Sequence, residues 1–367
     1  MAPKHTLSAL EWLSVGSAAL KTLSLGFLSL FVIPFQRSKG PPTFSQHLAY
    51  TISRTYTTNF SPKSIVATSP TTGECYQKFV TSQGLNAKTV TLPDGTKAHW
   101  LGDPTAEKIL LFFHGGGYLV YATDGHFHLL HESLKAVEQQ GGKLAVLFLE
   151  YDVSLDAPYP RQLQQATALL QYTLTELQKK PEQILLAGDS AGGNLALALL
   201  SHLSHPHPQV DAVNLSASLS GTALLSPWVT FETTSESMKA NAHRDALAIP
   251  ALHKWASLFR GSAPSDPYLE PLSAPANWWQ PLLTKKVLIT AGADEIFVDD
   301  IQKFAAQLSS ASKDVEMHTT TGEPHDYLVM EFLMGHPRTQ QRDIFEKWAL
   351  CMSENVDMNF ILYAPSH

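Results

Sequence analysis

Short apolar runs recur along this chain of 367 residues and alternate with stretches of helical periodicity. Six runs have the length of buried strands, and they lie within 107–113, 143–151, 184–188, 218–228, 285–295 and 314–320. Helix candidates occupy 125–140, 160–180, 191–203, 299–310 and about 337–353. Strands that alternate with helices predict the α/β class, with a mostly parallel central sheet flanked by helices.

The N-terminal region carries a separate apolar pattern. Glu11, Ser14, Ser17, Lys21 and Ser24 form a polar stripe at a spacing of three or four residues. The broad remaining face of such a helix carries Leu13, Leu20, Phe27, Leu28 and Phe31. Three interpretations stay open: residues 7–35 lie in a membrane interface, span the bilayer, or pack over an apolar pocket of the protein itself. The first two predict a membrane-associated protein, and we expect the endoplasmic reticulum as its location.

Composition removes several classes of protein. The net charge is −7 and no basic stripe is present, so we expect no nucleic-acid partner. The 44% of apolar residues suffice for a large core. Two distant cysteines make no disulfide framework, and neither CxxC nor HExxH occurs, so we predict no metal and no cofactor.

The segment LAGDSAGG, residues 186–193, carries the first candidate chemistry. It contains the pattern G-x-S-x-G around Ser190 and lies between a predicted strand and a predicted buried helix. A sharp turn at this place displays a serine hydroxyl at the N-terminus of a helix, where partial positive charge favours a developing anion. A turn that serves only for packing is the alternative, but the flanking strand and helix favour a nucleophile.

The segment HGGG, residues 114–117, directly follows another predicted strand. Glycines leave the backbone N–H groups open to a ligand, and an oxyanion hole needs such donors where negative charge develops. We predict that the N–H groups of Gly116, Gly117 and Ala191 form this hole. The alternative is that HGGG is only a flexible loop. Its position before the serine pattern favours an oxyanion hole, because the loop that forms the hole precedes the serine in the chain.

A serine nucleophile needs a base and an orienting acid. Where the serine lies in a G-x-S-x-G turn between a strand and a helix, the acid follows it in the chain and the histidine comes last. The acid should end a late strand, and VLITAGADE offers Asp294, with Glu295 as the rival. Asp299 and Asp300 are expected to begin the next helix instead. His325 lies in a loop after the last predicted strand and is the candidate base, whereas His318 lies inside that strand.

The motifs HGGGY, GDSAGG, GADE and PHDY, in this order, resemble the hormone-sensitive-lipase-like branch of the α/β-hydrolases over residues 100–350. With the apolar N-terminus, the chain looks most similar to fungal steryl-acetyl-hydrolase-like and natural-product-pathway hydrolases. The resemblance implies a triad of Ser190, Asp294 and His325 and a helical cap. It implies five segments: an apolar helix (1–36), a cap or N-terminal region (37–100), the first part of the catalytic core (101–226), a cap insertion (227–284) and the second part of the core (285–367).

The expected function is therefore hydrolysis of a carboxylic ester, such as an acetyl ester, of a lipophilic small molecule through an acyl-enzyme. The alternative is non-hydrolytic use of the same pocket by an acyltransferase, lyase or cyclase. A third hypothesis, a non-catalytic receptor, conflicts with the presence of every candidate triad residue. We predict that some of the aromatic residues in or near the expected cap line an apolar pocket, and the alternative for each is that it only holds the cap together: Trp228, Phe231, Trp255, Phe259, Trp278 and Trp279. The physiological substrate and the oligomeric state stay open.

Overall fold

A computed structural model describes residues 5–36 and 40–354 of the chain. In this part of the chain, eight strands form one sheet in the order β1-β2-β4-β3-β5-β6-β7-β8. The strands are β1 (Thr89–Thr91), β2 (Lys97–Leu101), β3 (Lys108–Phe113), β4 (Leu144–Glu150), β5 (Ile184–Asp189), β6 (Gly221–Leu225), β7 (Val287–Gly292) and β8 (Val315–Thr320). β2 runs antiparallel to its neighbours, and β3 to β8 are parallel, which confirms the predicted sheet.

Helices cover both faces of this sheet, and the five helices predicted from sequence are present. The described helices are α1 (Ala9–Gln36), α2 (Phe44–Asn59), α3 (Pro62–Thr68), α4 (Thr72–Ser82), α5 (Asp124–Gln139), α6 (Arg161–Thr175), α7 (Ala191–Ser204), α8 (Glu236–Ala240), α9 (Ile249–Arg260), α10 (Val298–Ala311), α11 (Tyr327–Met334) and α12 (Gln340–Glu354). Asp299 and Asp300 lie in the first turn of α10, as predicted.

The central strand β3 shows why the sequence folds in this way. All six of its residues are buried. Ile109 and Leu111 belong to the core on one face of the sheet, and Leu110 and Phe112 belong to the core on the other. A strand that is covered on both faces needs a continuous apolar run, which is the pattern visible in the sequence.

The beginning of the sheet differs from the sequence prediction. Residues 37–100 were assigned to a cap or N-terminal region before the first strong strand, but β1 and most of β2 lie in this range and form the antiparallel edge of the sheet. The residues of β1 are exposed or half-buried, and both strands are short. An edge strand needs no continuous apolar run, so no strong signal marked it.

Helix α2 contacts two late parts of the chain, which follow the carboxyl ends of β6 and β8. The Gln46 amide donates to the Tyr327 hydroxyl at 2.6 Å, and the Arg54 guanidinium donates to the carbonyl oxygen of Asp245. Helix α1 packs on α2, where Gly26 lies against Ile52. These contacts put α1 and α2 on the side of the sheet where parallel α/β proteins bind ligands.

Candidate active site

Ser190 lies in the tight turn between β5 and α7, as the G-x-S-x-G pattern predicts. Its backbone has φ 52° and ψ −116°, a conformation that costs a non-glycine residue of the order of 1–3 kcal/mol. The turn is held by hydrogen bonds from the Ser190 N–H to the carbonyl of Leu225 and from the Trp228 N–H to the carbonyl of Ser190, both 2.9 Å. The strained backbone of Ser190 therefore persists because hydrogen bonds with β6 and with Trp228, which follows β6, hold the turn in place.

The glycines of the turn are required by space. A Cβ atom on Gly192 would collide with the carbonyl oxygen of Phe113 at the end of β3. One on Gly188 would collide with the backbone of Gly192 itself. Since both obstacles are backbone atoms, no side-chain movement could relieve them. The glycine-rich sequence is thus explained by the close approach of the serine turn to β3.

His325 occupies the loop after β8 and lies against the serine. Its Nε2 atom is 2.8 Å from the Ser190 hydroxyl oxygen. The two residues are only 4% and 6% exposed, and the edge of the Phe297 ring packs on the imidazole with the ring centroids 4.9 Å apart. The structure therefore brings together the nucleophile and base predicted from sequence. His318 lies in β8 beside Glu316, away from Ser190.

Glu295, and not Asp294, contacts the histidine. The Glu295 carboxylate is 2.7 Å from His325 Nδ1 through Oε2, and its Oε1 accepts the N–H of Gly292 at 2.9 Å. Asp294 instead forms an ion pair of 2.9 Å with Arg244. The prediction of Asp294 as the acid was wrong because the turn after Gly292 directs the side chain at 294 outward and the next one inward.

The charges at this triad are strongly coupled. Burial raises the pKa of Glu295 to about 7, and the hydrogen bond with His325 partly offsets this rise. Burial alone would lower the pKa of His325, but Asp326 and Glu295 outweigh it and raise this pKa well above its usual value. The site therefore stabilises a positive imidazolium between carboxylates. It is this charge that forms when a serine gives up its proton.

The HGGG loop lies beside the serine turn because β3 and β5 are parallel neighbours, with Phe113 opposite Gly188. The N–H of Gly115 donates to the Asp189 carboxylate at 2.9 Å, which ties the loop to the turn. Within the described part of the chain, the N–H groups of Gly116, Gly117 and Ala191 donate no hydrogen bond. The three amides predicted as an oxyanion hole thus lie on adjoining backbone and have no acceptor among the described residues.

Three buried polar side chains support this loop, a role that was not predicted from the sequence. The Tyr151 hydroxyl donates to the carbonyl of His114 at 2.6 Å, and the two rings stack with centroids 4.2 Å apart. Burial lowers the pKa of His114 to about 3, so its ring is neutral. His126 Nε2 lies 3.2 Å from the Asp189 carboxylate. The only signal in the sequence was the proximity of these residues to the motifs.

Some of the six aromatic residues predicted to line a pocket lie near the serine turn, and the others lie elsewhere. Trp228 follows β6, donates its backbone N–H to the carbonyl of Ser190 and lies beside Phe297, and Trp255 packs against Gly117. Trp278 and Trp279 lie elsewhere, the first stacked on His205 and the second against Phe304 of α10. The remaining two pack together near Trp228, where Phe231 and Phe259 have ring centroids 6.2 Å apart. Only part of the set therefore borders the site.

Comparison with known families agrees with the fold and with this arrangement. A family model described as the α/β hydrolase fold matches residues 110–329, which is more than half of the chain. The chain therefore belongs to the α/β-hydrolase fold family. The matched range begins in β3 and ends in α11, so it includes the HGGG loop, the serine turn, Glu295 and His325.

Curated relatives carry esterase names. Steryl acetyl hydrolase 1 of Saccharomyces cerevisiae is 30% identical over 226 residues, which are 58% of this chain and 50% of that protein. An esterase of Acinetobacter venetianus is 27% identical over 245 residues, 66% of this chain and 75% of the relative. An acetyl-hydrolase of Streptomyces hygroscopicus is 29% identical over 195 residues, 53% and 59% of the two chains. The match thus spans about half the length of the yeast relative.

Solved structures show the same fold. An esterase from the bacterial hormone-sensitive lipase family superposes with a TM-score of 0.60 at 23% identity, over 79% of this chain and 94% of that one. Carboxyl esterase 2 of the fungus Tuber melanosporum gives a TM-score of 0.61 at 17% identity, over 74% and 87%. The predicted resemblance to hormone-sensitive-lipase-like α/β-hydrolases is confirmed.

Proposed function

We propose that this protein is a serine hydrolase that cleaves a carboxylic ester of a lipophilic small molecule through an acyl-enzyme on Ser190. One observation carries the proposal: Ser190, His325 and Glu295 form a continuous hydrogen-bonded chain with distances of 2.8 and 2.7 Å. A buried hydroxyl, imidazole and carboxylate in this order match the roles of nucleophile, base and orienting acid. The esterase names of the curated relatives support the same reaction class.

In the first step His325 Nε2 takes the proton of the Ser190 hydroxyl while the serine oxygen attacks the ester carbonyl carbon. Glu295 holds Nδ1 and stabilises the imidazolium that results. The amides of Gly116, Gly117 and Ala191 stabilise the oxyanion of the tetrahedral intermediate. His325 then returns its proton to the departing alcohol, and the acyl group stays on Ser190.

In the second step water replaces the alcohol. His325 removes a proton from the water, the water oxygen attacks the acyl carbon, and the bond from this carbon to the Ser190 oxygen breaks. The proton passes from His325 to Ser190, and a carboxylic acid leaves. The same three residues therefore act twice, and all three are buried.

The surroundings of the triad support a lipophilic substrate. Phe297 covers the imidazole, Trp228 lies beside Phe297, and Trp255 packs against Gly117 of the proposed oxyanion hole. Apolar walls with a few convergent polar groups are typical of small-molecule sites. Acetyl esters are natural candidates because several curated relatives are named acetyl hydrolases.

Hydrolysis of p-nitrophenyl acetate, butyrate, octanoate and palmitate tests the proposal, with Ser190→Ala beside the wild type. We expect the mutant to lose at least about 10³-fold in kcat, while its circular dichroism spectrum stays that of the wild type. Equal turnover by both proteins, or no turnover by folded wild type, would contradict ester hydrolysis. The second result would direct attention to an acyltransferase, lyase or cyclase that uses the same pocket.

We also propose that α1 attaches the protein to a lipid surface. The residues that α1 turns toward the protein are small, and Ala18, Thr22 and Gly26 are buried. Its large apolar residues point outward and are 55–78% exposed: Leu10, Trp12, Leu13, Leu20, Leu23, Phe27, Leu28 and Phe31. The helix is long and apolar enough to cross a membrane by composition. An outer face of this kind suits the boundary between headgroups and acyl chains.

Contacts along α1 favour a helix that lies on the membrane over one that spans it. Near its start Glu11 forms an ion pair of 2.8 Å with Lys63, and further along Gly26 packs on Ile52 of α2. A spanning helix would have to leave the protein surface and lose these contacts. Helix α2, on which α1 packs, contacts Tyr327 two residues after His325, so an attached α1 would hold the part of the chain that carries the base close to the lipid surface.

Flotation with phosphatidylcholine vesicles tests this attachment. We expect full-length wild type to float with the vesicles and the combined variant Leu13→Ser, Leu20→Ser and Phe27→Ser to remain behind. The control variant Ser17→Asn with Ser24→Asn changes exposed polar residues of the same helix and should float. Equal flotation of all three proteins, or a wild type that forms dimers through α1 and does not float, would overturn the proposal.

A further inference from the structure

Asp326 follows His325 and is the N-cap residue of α11, with a left-handed backbone of φ 50° and ψ 33°. An aspartate at an N-cap ordinarily accepts a backbone N–H of the first helical turn. Here the side chain makes no capping hydrogen bond, and the N–H groups of Val329 and Met330 donate to the backbone carbonyl of Asp326. Helix capping therefore does not account for this carboxylate.

The carboxylate lies at the base instead. Asp326 Oδ2 is 3.3 Å from His325 Nε2, the nitrogen that also faces the Ser190 hydroxyl. Its other oxygen, Oδ1, is buried and has no hydrogen-bond partner in the described part of the chain. A buried carboxylate oxygen without a donor is costly unless a positive charge lies nearby. The imidazolium of His325 is the nearby positive charge that the Asp326 carboxylate can stabilise.

We propose that Asp326 is a positioning residue that stabilises the His325 imidazolium from the Nε2 side while Ser190 attacks the ester. The inference rests on the proposed hydrolase function. In the attack the O–H bond of Ser190 breaks, an N–H bond forms at Nε2, and the serine oxygen bonds to the carbonyl carbon. Asp326 takes no proton in this step. The positive ring then lies between two carboxylates, Glu295 at Nδ1 and Asp326 at Nε2.

The titratable groups around this ring set the expected pH dependence. His325 faces Ser190, Glu295 and Asp326, and Asp245 interacts with it at longer range. On its other side Asp326 interacts with Asp189 and His126. Burial raises the pKa of Asp326 to about 6, so the carboxylate is ionised at neutral pH.

Removing the charge of Asp326 should therefore lower the pKa of His325. A nearby opposite charge typically shifts a pKa by about 1–3 units. The kcat/KM of a serine hydrolase requires a neutral histidine in the free enzyme, so its acid limb reports this pKa. We expect Asp326→Asn to move the midpoint of that limb down by about one unit or more. The variant would keep a larger share of its plateau activity at pH 6 than the wild type does.

The test compares Asp326→Asn with wild type and with Asp294→Asn. Asparagine preserves the shape and tolerates the left-handed backbone, so the substitution removes the charge and exchanges one acceptor oxygen for an NH₂ group. Asp294→Asn removes a nearby carboxylate that pairs with Arg244, and its midpoint should match that of the wild type. A p-nitrophenyl ester supplies the pH profile, and proton NMR titration of the downfield His325 Nδ1–H resonance supplies the pKa without turnover.

The outcomes separate this inference from the proposed function. A lower midpoint and a lower NMR pKa in Asp326→Asn alone support it. An unchanged midpoint and an unchanged pKa in folded Asp326→Asn would overturn it, even if Ser190→Ala confirms the hydrolase. If the wild type hydrolyses no ester, the proposed function fails, and the NMR pKa still decides whether Asp326 holds the charge of His325.

Discussion

Glu295→Gln is the most informative perturbation of the site because its effect follows from individual hydrogen bonds. Glu295 Oε1 accepts the N–H of Gly292, and Oε2 faces His325 Nδ1. A glutamine must keep its carbonyl oxygen on Gly292, so its NH₂ group would face Nδ1. The neutral ring would then carry its proton on Nε2 and could not accept the proton of Ser190. The substitution thus fixes the wrong tautomer and leaves the shape of the site intact.

The expected loss is about 10⁴-fold in kcat, the size found when the orienting acid of a serine triad is neutralised or removed. Asp294→Asn makes the same chemical change one residue away. It removes a partly exposed ion pair with Arg244, which is worth at most about 1 kcal/mol, so kcat should fall by less than about fivefold.

Initial rates with p-nitrophenyl acetate at pH 8 give both values, and circular dichroism checks that each variant is folded. The comparison between the two variants is decisive because the sequence alone favoured Asp294. If folded Asp294→Asn loses more activity than Glu295→Gln, the assignment of Glu295 as the orienting acid is refuted.

Two further predictions concern space around the serine. Gly192→Ala should lower the free energy of unfolding by about 3 kcal/mol or more because the new Cβ meets the backbone of Phe113. Gly16→Ala should not lower it, because the space around Gly16 is open. Urea unfolding measures both free energies. Trp255→Ala should raise the ratio of octanoate to acetate hydrolysis because Trp255 packs on Gly117, and Trp278→Ala, which removes a distant ring, should leave this ratio unchanged.

The inner parallel strands could be predicted because they are buried on both faces. The runs that contain β3, β5 and β7 are predominantly apolar, and every residue of these strands is buried. The nucleophile and base were equally visible, since Ser190 lies in a turn whose glycines are required by space and His325 follows the last strand. For these strands and for the serine turn, the residue types that the structure requires are the ones that form the recognisable sequence pattern.

The orienting acid could not be predicted in the same way. Asp294 and Glu295 are adjacent carboxylates after β7, and only the path of the turn decides which of them faces His325. Phe297, which packs on His325, was not predicted to contact the site because the surrounding sequence does not distinguish it from a core residue. Side-chain direction in an irregular turn depends on contacts with distant residues, such as the hydrogen bond from the Asp294 N–H to the carbonyl of Glu323.

Helix α1 was predicted correctly as a helix, but its packing face was not evident. The pattern separated a serine-rich stripe from a broad face of large apolar residues. In the structure neither set is the buried one, because small residues such as Ala18 and Gly26 allow close approach to α2. Helix contact through small residues leaves a weak hydropathy signal, since such side chains bury little apolar area.

The position of α2 limits how this chain can be trimmed for expression. A shortened chain that starts between Gln36 and Thr43 would drop the exposed apolar helix and keep α2. One that starts after Asn59 would also lose Gln46 and Arg54, whose bonds reach the loops that carry His325 and Asp245. Such a product could be soluble and still inactive, so a negative assay on it would say nothing about the chemistry of the intact protein.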